Sequence, residues 1–243
     1  MILALDLGNT QIKAAVFEHN TLIEKYWIAY ENAIAALESI LTNYPQIDTL
    51  CHSAVVHNEK FNFSTFKDRF TIYQISRESR FPFINAYTTP ETLGIDRMVL
   101  AAGAVLHYPN CNRLVIDAGT CITYDFISND DVYLGGAISP GLQMRYQALH
   151  HFTDQLPELQ PQSISEIIGN STSTAIHSGV IHGVLFELEG CIERYSEKKD
   201  NIIIILTGGD ANFLAGHLKN TIFANPNFLL ESSIRLYEFQ NND

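Results

Sequence analysis

The chain has 243 residues, 46% hydrophobic and 17% charged, enough for one large domain or two modest ones with cores of their own. A formal net charge of −12 argues against a nucleic-acid partner, which demands a basic face, and no apolar run approaches the roughly 20 residues of a membrane span. The start lacks a basic flank, so no signal peptide is expected, and Cys51, Cys111, Cys121 and Cys191 fall at no metal-ligand spacing, which suits free thiols in a reducing cytoplasm.

The first strand is expected in "MILALDLG", followed by a Gly-Asn-Thr turn and a second in "QIKAAVFEHN", where Ile12, Ala14 and Val16 alternate with Lys13, Ala15 and Phe17. "TLIEKYWIAY" completes an antiparallel meander. A helix over 32–43 carries Ile34, Leu37 and Leu41 on one face, and Pro45 ends it. Strands in "DTLCHSAVV" and "FTIYQIS" flank a short helix in "NEKFNFSTFKDRF", and 77–90 reads as a loop. A helix from about Gly94 to Leu106 turns Met98, Ala101, Ala102 and Val105 inward.

The order then starts over. "RLVIDAG", "CITYDFIS" and "DVYLGGAIS" form a second meander, followed by helices over 141–151 and 172–196. "NIIIILTGG" reads as a strand, "DANFLAGHLKN" as a helix, "TIFANP" as a short strand and "FLLESSIRLYEF" as the last helix. The fold class is α/β: two lobes, each a three-stranded antiparallel meander followed by alternating helices and parallel strands, with a cleft between them. The boundary is placed near Asn110, giving lobes 1–110 and 111–243. Trp27 and the phenylalanines are assigned to the core.

One motif repeats with the architecture. "DLGNT" (Asp6 to Thr10) and "DAGTCITYD" (Asp117 to Asp125) each put an acid at a strand end before a small, glycine-containing turn. Gly8 lets the backbone approach a ligand, amides and hydroxyls around Asn9 and Thr10 can donate to phosphate oxygens, and Lys13 lies within reach on the next strand. Asp6 can hold a hydrated Mg²⁺, which takes one or two carboxylates together with water and phosphate oxygens. A single such turn is also an ordinary hairpin connection; two, each opening a meander, point to phosphate handling. The expectation is that Asp6 and Asp117 confront each other across a triphosphate groove. An acidic chain can still bind an anionic nucleotide through a few amides and a metal ion.

"TGGDA" (Thr207 to Ala211) ends a buried strand on two glycines, at the end where open α/β sheets bind ligands; it also reads as a tight turn capped by Asp210. "LGIDRM" (Leu93 to Met98) puts Asp96 and Arg97 in the first turn of a helix. There Asp96 can serve the helix dipole, or accept a proton from a substrate hydroxyl while Arg97 holds an anionic group. Gly179 and Gly183, one turn apart on the long helix, suggest a close helix contact, either a dimer seam or within the chain.

Together "DLGNT", "GIDR", "DAGTCITYD", "GGAISPG" and "TGGDA", in this order, resemble the type III pantothenate kinases of the actin-like (ribonuclease H-like) ATPase superfamily. The resemblance implies phosphorylation of pantothenate to 4′-phosphopantothenate by ATP with Mg²⁺, the first step toward coenzyme A, by a cytoplasmic homodimer requiring K⁺ or NH4⁺. It implies that Asp6, Leu7, Gly8, Asn9, Thr10, Gln11, Ile12 and Lys13 form the first phosphate segment and that Thr120 contacts nucleotide phosphate. Asp96 would be the general base; Tyr87, Gly94, Ile95, Arg97 and Thr172 would line the pantothenate site with it, and Asp117 would hold the monovalent cation. Cys121 stands where alanine is frequent, Ser171 where asparagine is, and Asp210 where an apolar residue is. Alternatives are a kinase for another small hydroxylated metabolite, a catalytically silent accessory or regulatory relative, and an actin-like filament protein.

Overall fold

The computed structural model describes residues 1–8, 11–54, 61–198, 201–218 and 222–241. The chain divides into two units, Met1–Pro109 with Asn227–Asp243, and Asn110–Pro226.

In the first unit, β1 (Ile2–Leu7), β2 (Gln11–Glu18) and β3 (Thr21–Ala29) form the expected meander, and β4 (Thr49–Ala54) and β5 (Thr71–Ile75) extend it in parallel, in the order β3-β2-β1-β4-β5. His19 and Asn20 take positive φ angles in the β2–β3 hairpin, the backbone such tight turns require. Alternation along β1 sends its side chains to opposite faces. Leu3, Leu5 and Leu7 join Leu37, Ile40 and Leu41 of α1 (Ala33–Asn43) in one core. The other face carries small buried residues, Ala4 on β1 and Cys51 and Ser53 on β4. Those small side chains admit two helices, α2 (Ile95–His107) and α6 (Phe228–Asn241), which pack on each other and on β4. At their contact a Cβ on Gly103 would sit 1.8 Å from Ser232 Oγ, so the approach depends on glycine. Asp6 points to this second face, at the carboxyl end of β1.

The second unit repeats the plan with β7 (Asn112–Ala118), β8 (Cys121–Ile127) and β9 (Val132–Pro140) as the meander, and β10 (Ile202–Thr207) and β11 (Phe223–Ala224) parallel to β7 on its other side. α3 (Leu142–His151) and α4 (Thr172–Lys198) bury Leu142, Tyr146, Ile181, Val184 and Leu188 against Leu114, Ile116 and Tyr124 of the sheet. α5 (Ala211–Ala215) follows β10.

Several expectations need correction. The last helix, α6, was expected in the second lobe; its apolar face packs on β1, β4 and α2, in the first unit. Within "NEKFNFSTFKDRF" the described part is a single 3-10 turn, Phe63–Phe66, entered through an Asn62 side-chain cap. The stretch 77–90 contains a two-residue strand, β6 (Ile84–Asn85). Ile34 is exposed, and Ala33 and Ile40 take the inward places instead. Trp27 is 61% exposed, because β3 is the sheet's edge, and Lys25 Nζ lies 5.2 Å from its ring centre. Phe152, Phe186 and Phe223 are exposed too. No described helix is long and apolar enough to cross a membrane. All four cysteines are free thiols.

Candidate active site

Around Asp6 the strand register does most of the positioning. Asp6 pairs with Lys13 across the β1–β2 ladder, so both side chains stand on one face, and Lys13 Nζ lies 3.7 Å from Asp6 Oδ2. Asp6 is 5% exposed while the Lys13 side chain is 41% exposed. Burial pushes the Asp6 carboxyl up to about 6; Lys13 pulls it down and Asp96 pushes it up again. A buried carboxylate only loosely paired with one lysine suits a cation, since added positive charge would offset the cost of its desolvation. Among the described residues no cluster of three or more His, Cys, Asp or Glu side chains could hold a metal. Mg²⁺ fits nonetheless, because it binds through one or two carboxylates plus phosphate oxygens and water.

The turn after β1 has a tether that sequence reasoning missed. The Tyr30 hydroxyl, at the end of β3, donates to the Gly8 carbonyl at 2.6 Å. Nothing in the local sequence links positions 22 apart; only the meander brings them together. A Cβ on Gly8 would crowd the Gln11 carbonyl at 3.2 Å. Leu7 and Ile12 are buried beneath the turn, and Gln11 opens β2. Asn9 and Thr10, expected to donate to phosphate, lie outside the described residues.

Gly94 sets the approach to α2 by space, not by φ, which is an ordinary −61°. A Cβ there would fall 2.3 Å from Asp96 Oδ1. That oxygen accepts the Arg97 amide at 2.9 Å, fixing the carboxylate within the first turn. Arg97 is 6% exposed, with its guanidinium carbon 5.8 Å from the centre of the Tyr87 ring. Ile95 is buried. Tyr87, Gly94, Asp96 and Arg97 thus gather at the start of α2, and Asp96 is close enough to Asp6 to raise its proton affinity.

In the second unit Asp117 is half-buried at the end of β7, in register with Thr207 of β10. Gly208 follows with φ +97°, and a Cβ on it would meet Asp117 Oδ1 at 2.4 Å and the Ala118 carbonyl at 2.3 Å. Only glycine suits that backbone and that space. The Asp210 amide donates to the Ala118 carbonyl at 3.0 Å, tying the "TGGDA" turn to β7. The Asp210 side chain makes no cap hydrogen bond, contrary to the capping alternative, and burial raises its carboxyl pKa. Thr120 is exposed between β7 and β8, and Thr172 is exposed at the first position of α4.

The comparisons with known proteins bear on this arrangement. The sequence profile described as type III pantothenate kinase matches residues 2–194. The chain belongs to the type III pantothenate kinase family. A type III pantothenate kinase of Flavobacterium psychrophilum is 55% identical over 240 residues, covering 99% of this chain and 100% of the relative. One of Flavobacterium johnsoniae is 53% identical over 241 residues, covering 99% and 98%. Among solved structures, a conserved Baf family protein from Campylobacter jejuni superposes with a TM-score of 0.64 at 20% identity, covering 99% of this chain and all of that one. The activator of 2-hydroxyisocaproyl-CoA dehydratase from Clostridium difficile gives 0.54 at 13%, covering 99% and 94%. At such identities these two speak for the fold alone, and they agree with the expected fold class.

Proposed function

We propose that the protein transfers the γ-phosphoryl group of ATP to the 4′-hydroxyl of pantothenate, giving 4′-phosphopantothenate and ADP at the entry to coenzyme A synthesis. The observation that carries this reading is the meeting of the Asp6–Lys13 pair with Asp96, held in the first turn of α2 by the Arg97 amide. Family membership supplies the substrate, through relatives named for it.

Each residue then takes a role. Asp96 accepts the proton of the substrate hydroxyl as the oxygen–phosphorus bond forms and the bond to ADP breaks. Arg97 and Tyr87 orient pantothenate, Arg97 facing its carboxylate. Gly94 leaves room for the Asp96 carboxylate, and Thr172 contributes a hydroxyl to the substrate. Lys13 and the amides of 7–12 hold phosphate, with Thr120 on the second turn. Asp6 would hold Mg²⁺, which when bound neutralises charge on the transferred group. Asp117 would hold K⁺ or NH4⁺. The protein works in the cytoplasm as a homodimer. The exposed face of α4 supports a seam there: a Cβ on Gly179 would meet nothing within 4 Å, and Phe186, seven residues on, is 60% exposed.

A coupled assay with pantothenate varied at fixed ATP tests the proposal. Saturable ADP release that requires Mg²⁺ and a monovalent cation is expected. Turnover with another hydroxylated metabolite but not pantothenate, or none at all, overturns it. Phe186→Glu should give monomers in light scattering; a variant that stays dimeric places the seam elsewhere.

A further inference from the structure

Arg145, on α3, is not among the residues that the family motifs single out. Its side chain nevertheless ties together four elements of the second unit. Nε donates to the Pro140 carbonyl at 2.9 Å and Nη2 to Ser139 Oγ at 2.9 Å, both at the end of β9. Nη2 also pairs with Glu187 on α4, whose other carboxylate oxygen accepts the Tyr124 hydroxyl of β8 at 2.8 Å. The clamped strand end leads directly into Gly141, whose amide donates to the Thr120 carbonyl at 3.0 Å. A Cβ on Gly141 would lie 2.1 Å from the Gly119 carbonyl oxygen and 2.5 Å from that of Thr120. Backbone therefore rests on backbone: whatever fixes Pro140 and Gly141 also fixes the Gly119–Thr120 turn. The planar fork of an arginine can hold the carbonyl, the hydroxyl and the carboxylate at once, which lysine cannot.

We propose that Arg145 is a positioning residue for the second phosphate turn, acting on nucleotide binding through Pro140 and Gly141. This rests on the reading above that Thr120 contacts nucleotide phosphate. The side chains of Arg145 and Glu187 are 22% and 28% exposed, so the clamp is partly buried and its loss is expected to lower the melting temperature as well. A positioning role moves a different quantity from a merely structural one. In Arg145→Met the KM for ATP should rise by about tenfold, the worth of one charge-assisted contact. The KM for pantothenate should stay within about twofold, because Tyr87, Asp96 and Arg97 belong to the other unit and Thr172 stands about 22 Å along α4 from Glu187. Arg145→Lys should recover part of the loss.

The test measures both KM values and the melting temperature for Arg145→Met, Arg145→Lys and, as a reference, Thr120→Val. A rise in ATP KM for Thr120→Val and Arg145→Met, with the KM for pantothenate in place, supports the inference whatever the change in melting temperature. A rise for Thr120→Val alone overturns it and leaves the reading of the turn intact. No rise for Thr120→Val removes that reading, and the inference falls with it. A lower melting temperature of Arg145→Met with both KM values unchanged makes the clamp structural and overturns the proposal.

Discussion

The two acidic strand ends each close the first strand of a meander and differ in burial and in what crowds them. Asp6 is buried beside Lys13, with a second acid nearby, and its carboxyl is pushed up to about 6. Asp117 is half-buried, and its neighbourhood is crowded with backbone, from Gly208 and Ala118. The described tethers differ as well: the Gly8 carbonyl accepts a tyrosine hydroxyl, and the Thr120 carbonyl accepts an amide behind which stands a guanidinium clamp. The first strand end thus buries its acid beside a lysine, and at the second the backbone of Gly208 closes on the acid. On the proposed function, proton transfer falls to Asp96 in the first unit.

The sharpest way to break that division is at Asp96. Asp96→Asn should lower kcat by roughly 10²- to 10⁴-fold, the usual share of a general base. Circular dichroism should be unchanged, since an asparagine oxygen still accepts the Arg97 amide. Full activity in this variant would end the assignment of proton transfer to the first unit.

Asp6→Asn separates charge from shape. The folded carboxyl titrates near 6, above the unfolded value near 3.8, so the folded state binds more protons in between. The Asp6 contribution to the stability of metal-free protein should therefore fall as pH rises from about 4 to about 6, by about 3 kcal/mol in the limit, while His52, whose pKa burial lowers to about 4, contributes in the opposite sense. The asparagine variant should lack this contribution, so that its stability rises more steeply with pH than the parent's, and at pH 7 it should be more stable than the parent yet inactive. Denaturant titrations across pH in EDTA measure both. An unchanged slope would mean that Asp6 is not the strained acid, and the contrast with Asp117 would lose its basis.

Below these effects stands the scaffold under the first site. Gly103→Ala places a methyl group on Ser232 Oγ, separating α2 from α6. Overpacking of this kind costs about 1–3 kcal/mol. Thermal melting should show the loss, and Gly103→Ala with Ser232→Gly should restore it. Should the single variant melt like the parent, the α2–α6 approach is looser than described.

Much of this was legible in the sequence, because periodicity and turn residues are local signals. The two meanders, the long α2 and α4, and the placement of Asp6, Lys13, Asp96 and Arg97 on strand ends and a first turn follow from spacing alone. What escaped was set by distant partners. Trp27 reads as core by type, but its strand is an edge. α6 follows the second unit in the chain, while the small residues Ala4, Cys51 and Gly103 that admit it belong to the first. Tyr30 and Arg145 sit in stretches with no motif, and only the folded register shows which carbonyls they reach.

The smallest expected effect concerns how α2 and α4 begin. α2 starts at Gly94 without a side-chain cap, leaving the Asp96 carboxylate to take an amide. α4 has a reciprocal cap instead: the Ser171 amide donates to Thr174 Oγ1 at 2.9 Å and the Thr174 amide to Ser171 Oγ at 3.2 Å. The frequent asparagine at this position can make the same bond, so the departure at Ser171 is chemically neutral. Ser171→Ala should cost about 1 kcal/mol, or roughly 2–4 °C in melting temperature for a chain of this size. Ser171→Asn should cost almost nothing. Because Thr172 is the next residue, fraying of this turn should raise the KM for pantothenate and spare that for ATP, the reverse of the Arg145 pattern. If Ser171→Ala lowers melting with neither KM changed, the start of α4 is scaffold, and Thr172 leaves the list of substrate contacts.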